Sequence, residues 1–176
     1  KNNFLITDRL KKKTGNLIKK YSITLLKNIH EINKISPNAA FICNPSSDHV
    51  KFGILCANLG CDLFIEKPIS NNLKNLKKLL NLVKQRKLVI SIGYQFLFHP
   101  LLIKLKKIIK SNRYGNLYSG FIAMNESVKK YKKYGTYKNL LITQRQKGGG
   151  ILLEQSHDLN YLIWLMDTAP ELSQCS

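Results

Sequence analysis

The chain has 176 residues, 44% of them hydrophobic. That is enough apolar material to bury a core in one domain or two small ones, which excludes a disordered polypeptide. The formal net charge of +19 invites nucleic acid as a partner, but only Arg9, Arg86, Arg113 and Arg145 among 29 basic residues carry the guanidinium fork that reads phosphates and bases, and the lysines are spread along the chain, so nucleic acid is the disfavoured partner. The best sites for it would be Lys11-Lys12-Lys13 and the run from Lys129 to Tyr134.

In chain order, the spacing predicts a strand over Asn3 to Thr7, beginning two residues after Lys1 with nothing before it to pair, as expected for part of a longer protein. Further strands are expected at Ala39 to Cys43, Leu63 to Ile65 and Leu88 to Ile92. Helices are expected between them: residues 46–58, opened by the cap-like Ser46-Ser47-Asp48 and stopped near Gly60, and residues 71–86, with Leu73, Leu76, Leu79, Leu80 and Val83 on one face. Gly93 and Pro100 mark a change of region. A helix around Leu101 to Ile109 follows, then an alternating strand from Leu117 to Met124, a Lys/Tyr-rich loop, and a helix from Ile151 to Met166 after Gly148-Gly149-Gly150. The alternation of short apolar runs with helical segments predicts an α/β fold with a parallel sheet. The longest apolar runs, such as Tyr161 to Met166, fall far short of the roughly 20 residues that span a bilayer, so no membrane segment is expected and the reading is soluble and cytoplasmic. Cys43, Cys56, Cys61 and Cys175 show no CxxC pairing, and His49 and His99 are not spaced with His157 as ligands, so neither disulfides nor a metal is expected.

In open parallel sheets the ligand crevice lies beyond the carboxyl ends of the strands. Asp8-Arg9, Asn44-Pro45-Ser46, Glu66-Lys67-Pro68 and Gly93-Tyr94-Gln95 occupy those positions. Asp8 suits either an acceptor for ribose hydroxyls or an ordinary helix cap.

Three stretches, "FICNPSSDHVKFGILCANLGCDLFIEKPISNNLKNLKKLL", "VISIGYQFLFHP" and "GGGILLEQSHDLNYLIWLM", together resemble the Gfo/Idh/MocA family of NAD(P)-dependent oxidoreductases, in order and along essentially the whole chain. The resemblance implies a partial Rossmann domain, residues 1–98, then the start of an α/β substrate and oligomerisation domain with a mostly antiparallel sheet, residues 99–176. It implies NAD as cofactor, with NADP possible in principle, and a sugar, cyclitol or sugar-nucleotide substrate. Homo-oligomerisation of the full-length protein is implied as well. Asp8, Arg9, Asn44, Pro45, His49, Glu66, Lys67 and Gln95 are expected at the cofactor, with Asp8 favouring NAD and Arg9 opposing it. The EKP lysine of such enzymes stands beside nicotinamide and substrate hydroxyl, which makes Lys67 the expected proton-transfer residue.

His157 is the second catalytic expectation, because Glu154 at i−3 and Tyr161 at i+4 can share its helix face as a proton relay; the alternative is a core histidine. The loop from Lys132 to Gly150 resembles a stretch of relatives encoded with acidic-sugar genes, which would turn Tyr137, Lys138 and Arg145 toward an acidic substrate; a solvated basic loop is the alternative. Glu154 in place of the usual Asp, Asn160 in place of a frequent Asp, and Leu97 in place of a frequent Arg leave the substrate open. A catalytically inactive remnant or interaction module of the same fold is the second reading, and a basic nucleic-acid binder the third.

Overall fold

The computed structural model describes residues 5–6, 15–26, 29–127, 135–168 and 171. Within them the chain is α/β. A two-stranded parallel sheet pairs β1 (Leu5–Ile6) with β2 (Thr24–Leu25) around α1 (Gly15–Tyr21). A three-stranded parallel sheet orders β3 (Ala39–Ile42), β4 (Asp62–Ile65) and β5 (Ile90–Ile92), connected through α2 (Ser46–Asn58) and α3 (Leu76–Gln85). β1 lies within the strand expected over Asn3 to Thr7, whereas α1 and β2 are too short for sequence periodicity to register. Asp8, Arg9, Lys11 to Lys13 and Lys129 to Tyr134 lie outside the described residues.

Parallel strands are extended runs whose alternate side chains meet the covering helices. Here Ile42, Leu63 and Ile65 turn inward and pack with Val50, Cys56 and Ala57 of α2 and Leu79 and Val83 of α3. Gly53 permits the close helix contact: a Cβ there would stand 3.1 Å from a Leu79 methyl. On the opposite face Phe41 is exposed and its ring lies 5.4 Å from that of Phe64. The end of α2 is set by Gly60, whose positive φ of 80° lets the Cys61 amide donate back to the Cys56 carbonyl at 3.1 Å.

Several boundaries differ from the sequence expectation. β5 starts at Ile90, two residues late, where the Asp62 carboxylate takes the Val89 amide at 2.8 Å. The helix expected from residue 71 starts at Leu76, because Ser70 Oγ accepts from the Asn72 amide (3.2 Å) and Asn72 Oδ1 from the Lys74 amide (2.8 Å), holding the backbone in turns. Leu73 therefore stands outside the helix, 85% exposed, while Leu79 is fully buried.

α4 (Pro100–Lys110) forms as expected, with His99 Nδ1 accepting from the Leu101 amide and Pro100 in the first turn. Residues 117–124 form no strand: alternation marks a pleated face, but no described residue pairs with them, and Tyr118 and Phe121 stand exposed. No strand of the expected antiparallel sheet occurs among the described residues. The helix expected over 151–166 is broken at Gln155 into α5 (Ile151–Glu154) and α6 (Ser156–Met166). Lys106 of α4 ties down the far end of α6, donating to the Trp164 carbonyl and the Asp167 carboxylate with its ammonium 4.2 Å from the indole centroid. None of the described helices is long and apolar enough to cross a membrane.

The contrast between two leucines is testable. Leu79→Ala is expected to cost about 2–5 kcal/mol by opening a cavity between α2, α3 and the sheet, and Leu73→Ala to stay within about 0.5 kcal/mol. Urea unfolding of both variants measures it; equal costs would place Leu73 in the core.

Candidate active site at the strand ends

Register brings the expected residues to one edge. Ile42, Ile65 and Ile92 are aligned across the three strands; the Glu66 amide donates to Ile42 O at 2.9 Å and the Gly93 amide to Ile65 O at 2.8 Å. Asn44, Glu66-Lys67 and Gly93-Tyr94 therefore leave the sheet side by side.

The Lys67–Pro68 bond is cis. Lys67 Nζ donates to the main-chain carbonyl of Glu154 at 2.7 Å and to its carboxylate at 3.2 Å, with both side chains largely shielded from solvent. Glu66 folds back, accepting from the Lys67 amide at 3.2 Å and lying across Gly93, where an added Cβ would stand 3.1 Å from its carboxylate. Cys43 is exposed at the same edge, and partial desolvation of its thiol, with the Glu66 charge adding to it, raises the pKa.

His157, at the start of α6, is buried against the turn after β5, with the Tyr94 ring at 5.7 Å and nearly perpendicular and the Phe96 ring at 4.7 Å. Burial lowers its pKa from the ordinary 6.5, and the Lys67 charge lowers it further; Glu66, Asp158 and Glu154 pull the other way. Its Nδ1 is buried with no hydrogen-bond partner. The expected relay through Glu154, His157 and Tyr161 is not assembled. The break at Gln155 separates Glu154 from the α6 face, its carboxylate goes to Lys67, and the Tyr161 phenol, pushed up by burial, bonds to Asp158.

The remaining expected residues divide. Pro45 caps α2, and Asn44 Oδ1 is buried without a partner. Gln95 is exposed at the head of the 3₁₀ turn Gln95–Phe98. His49 is fully buried, with both ring nitrogens on main-chain carbonyls, so no ring nitrogen is left for direct cofactor contact. Tyr137, Lys138 and Arg145 are exposed on a series of 3₁₀ turns, and no hydrogen bond joins them to Lys67 or His157. The close approach granted by the glycine triplet is to protein: at Gly148 (φ 89°) a Cβ would overlap Ser46 Oγ at the start of α2, and at Gly149 it would stand 2.4 Å from Leu141 O. Sequence reasoning missed Tyr94 and Phe96 as walls of the His157 pocket; the alternate aromatics Tyr94, Phe96 and Phe98 were the available signal. Among the described residues no group of three or more His, Cys, Asp or Glu could hold a metal.

The model of the oxidoreductase family with an NAD-binding Rossmann fold, Gfo/Idh/MocA, matches residues 4–94, just over half of the chain. Oxidoreductase P35 of Formosa agariphila is 27% identical over 90 residues, 51% of this chain and 28% of that protein. Among solved structures, the WlbA dehydrogenase of Bordetella pertussis, in complex with NADH and UDP-GlcNAcA, superposes with a TM-score of 0.73 at 18% identity, over 92% of this chain and 46% of that one. A putative myo-inositol dehydrogenase of Sinorhizobium meliloti gives 0.68 at 20% identity, over 95% and 48%. The chain thus spans under half the length of these relatives, and the structural likenesses concern the fold. With the strand order, the EKP turn at the sheet edge and the family match in agreement, the chain belongs to the Gfo/Idh/MocA oxidoreductase family, with residues 4–94 in its NAD-binding Rossmann domain.

Proposed function

We propose that the full-length protein transfers hydride between NAD(P) and a hydroxyl or carbonyl carbon of a sugar-like substrate, with Lys67 and His157 managing the proton. The observation that carries this reading is the Lys67 amine: it stands at the end of a central strand, anchored on Glu154, and its charge acts on the buried His157. The residues present fit a dinucleotide. Asn44 Oδ1 is a buried acceptor with no protein donor, matching a ribose hydroxyl or carboxamide N–H, and the bare Cα of Gly93 leaves room for Glu66 to lie along the same edge. Asn44, Pro45, Glu66 and Gln95 are the residues that would hold it. When bound, nicotinamide supplies hydride exchange with the substrate carbon.

The chain's own residues handle the other half of the reaction. Oxidising an alcohol requires the hydroxyl proton to leave as the carbon–hydrogen bond breaks. Lys67 Nζ uses two N–H groups on Glu154, which leaves its third for a substrate oxygen. His157, lowered by burial and by Lys67, is neutral at pH 7 and has the capacity to take up the proton. Tyr94 and Phe96 exclude water from one side of the imidazole. Two structural neighbours, one in complex with NADH and UDP-GlcNAcA and one a putative myo-inositol dehydrogenase, favour a polyhydroxylated substrate. Tyr137, Lys138 and Arg145 are the groups we assign to an acidic substituent of it.

Lys67→Ala in the full-length protein is expected to lower kcat by roughly 10²–10⁴ with cofactor affinity nearly unchanged. Pre-steady-state kinetics and a binding titration decide it, and near-normal turnover on a true substrate would remove Lys67 from the mechanism.

His157 adds a pH signature. Its folded pKa lies below 6.5, so the unfolded chain binds this proton more readily; the stability gained by keeping the ring neutral is present above about pH 6.5 and is lost as pH falls toward the folded value. Urea unfolding between about pH 7.5 and pH 5 is expected to show a steeper acid loss for the wild type than for His157→Phe. Equal slopes would mean that the ring is not desolvated.

A further inference from the structure

Gly148 is the point where the loop before α5 meets the first half of the chain. It is buried and takes the left-handed conformation, with φ 89° and ψ 21°. A Cβ there would overlap Ser46 Oγ, and would stand 3.1 Å from Ser46 Cβ in the first turn of α2 and 3.2 Å from the Cβ of Asn71, in the segment that follows Lys67 and Pro68. Ser46 is itself buried. Gly148 thus seats between the chain leaving β3 and the chain leaving β4.

Hydrogen bonds carry that seat to the candidate site. The amides of Gly148, Gly149 and Gly150 donate to Arg145 O, Gln144 O and Ile142 O at 3.0, 3.0 and 2.8 Å, which folds residues 142–150 into one compact turn. Gly150 O then accepts from the Glu154 amide at 3.0 Å, and Glu154 takes the Lys67 ammonium on its carbonyl and its carboxylate. The contacts close a ring: Lys67 to Asn71 along the chain, Asn71 to Gly148 through space, Gly148 to Glu154 along the chain, and Glu154 back to Lys67. Packed atoms transmit a displacement, and the link that yields first is the one held by two long, flexible side chains, Lys67 to Glu154.

We propose that Gly148 is a positioning residue: its missing side chain lets the loop seat on Ser46 and Asn71, and that seat holds Glu154 where it captures the Lys67 amine. The seat is read from geometry, and its bearing on proton transfer rests on the function proposed above.

The reactivity of Lys67 in the full-length protein tests it. Brief reductive methylation with formaldehyde and cyanoborohydride modifies an amine when it is released from its partners, and peptide mass spectrometry reads each lysine separately. Lys106, similarly shielded and paired with Asp167, is the internal reference. Gly148→Ala is expected to raise Lys67 methylation roughly tenfold, the effect of losing one charge-assisted hydrogen bond, with Lys106 unchanged. Ser46→Gly combined with Gly148→Ala, which removes the overlapping atoms, is expected to recover most of the protection. Gly115→Ala controls for the backbone: its φ is 86° and a Cβ there meets nothing within 4 Å, so it carries the left-handed strain without a clash and is expected to leave Lys67 as in the wild type. Unchanged Lys67 in Gly148→Ala, a parallel rise at Lys106, a rise in Gly115→Ala, or no recovery in the double variant would overturn the proposal. If Gly148→Ala alone does not fold, the double variant decides: folding with a protected Lys67 sustains the seat, and failure to fold or a freely methylated Lys67 overturns it. Methylation reads the Lys67–Glu154 contact whether or not hydride is transferred, so a failure of the oxidoreductase reading would leave this outcome intact.

Discussion

The contact between Lys67 and Glu154 joins groups 87 residues apart in sequence, and the candidate site is organised around it. It has two parts of different kind. The carboxylate compensates the charge of an amine that is mostly withdrawn from water, and the carbonyl is one of the unpaired groups that every helix end leaves behind. Lys67 satisfies both, and the chain then turns at Gln155 and begins α6 in a new direction, which carries His157 toward Tyr94 and Phe96. Removing the amine would leave a half-buried carboxylate and a helix end without their donor at the same point.

That long-range contact also explains the limit of what local pattern could say about the last helix. Residues 151–166 have continuous helical spacing, and nothing within them signals the break, because the donor that stabilises the α5 end comes from the sheet edge. The strands were easier. β3 and β4 are apolar runs bounded by turn residues such as Pro37-Asn38 and Asn44-Pro45, and Gly60 marks the end of α2 because only its positive φ permits the backbone reversal. The start of α3 was obscured by a competition that composition alone does not decide, between leucine spacing that favours helix and Ser70 and Asn72 side chains that capture nearby amides. Residues 117–124 show the same limit for strands: alternation fixes a face, and pairing needs a neighbour.

For the candidate site, the rule that ligands gather beyond parallel strand ends points to Asn44, Glu66 and Lys67, and register alone makes them neighbours at one edge. It was not sufficient for orientation. His49 lies one helical turn past the same edge, yet its ring faces inward to two carbonyls whose positions depend on both turns. Gly148 likewise reads from sequence as a place for close approach, and only the fold says that what approaches is the Ser46 hydroxyl.

Charge gives the site an asymmetry that residue identities do not. Lys67 and His157 are both potential cations near one another, and like charges disfavour the second protonation. Lys67 has a carboxylate and a carbonyl within hydrogen-bonding distance, whereas His157 Nδ1 has no protein partner and its ring packs against two aromatic side chains. Burial and the Lys67 charge therefore act together on the imidazole, and the three carboxylates of Glu66, Asp158 and Glu154 offset them only in part, since the net shift is downward. The surroundings thus hold the Lys67 amine on Glu154 and favour the neutral form of the imidazole. In the hydride transfer proposed above, an edge so arranged would bind an oxygen at one atom and receive its proton at another, without either group having to change roles.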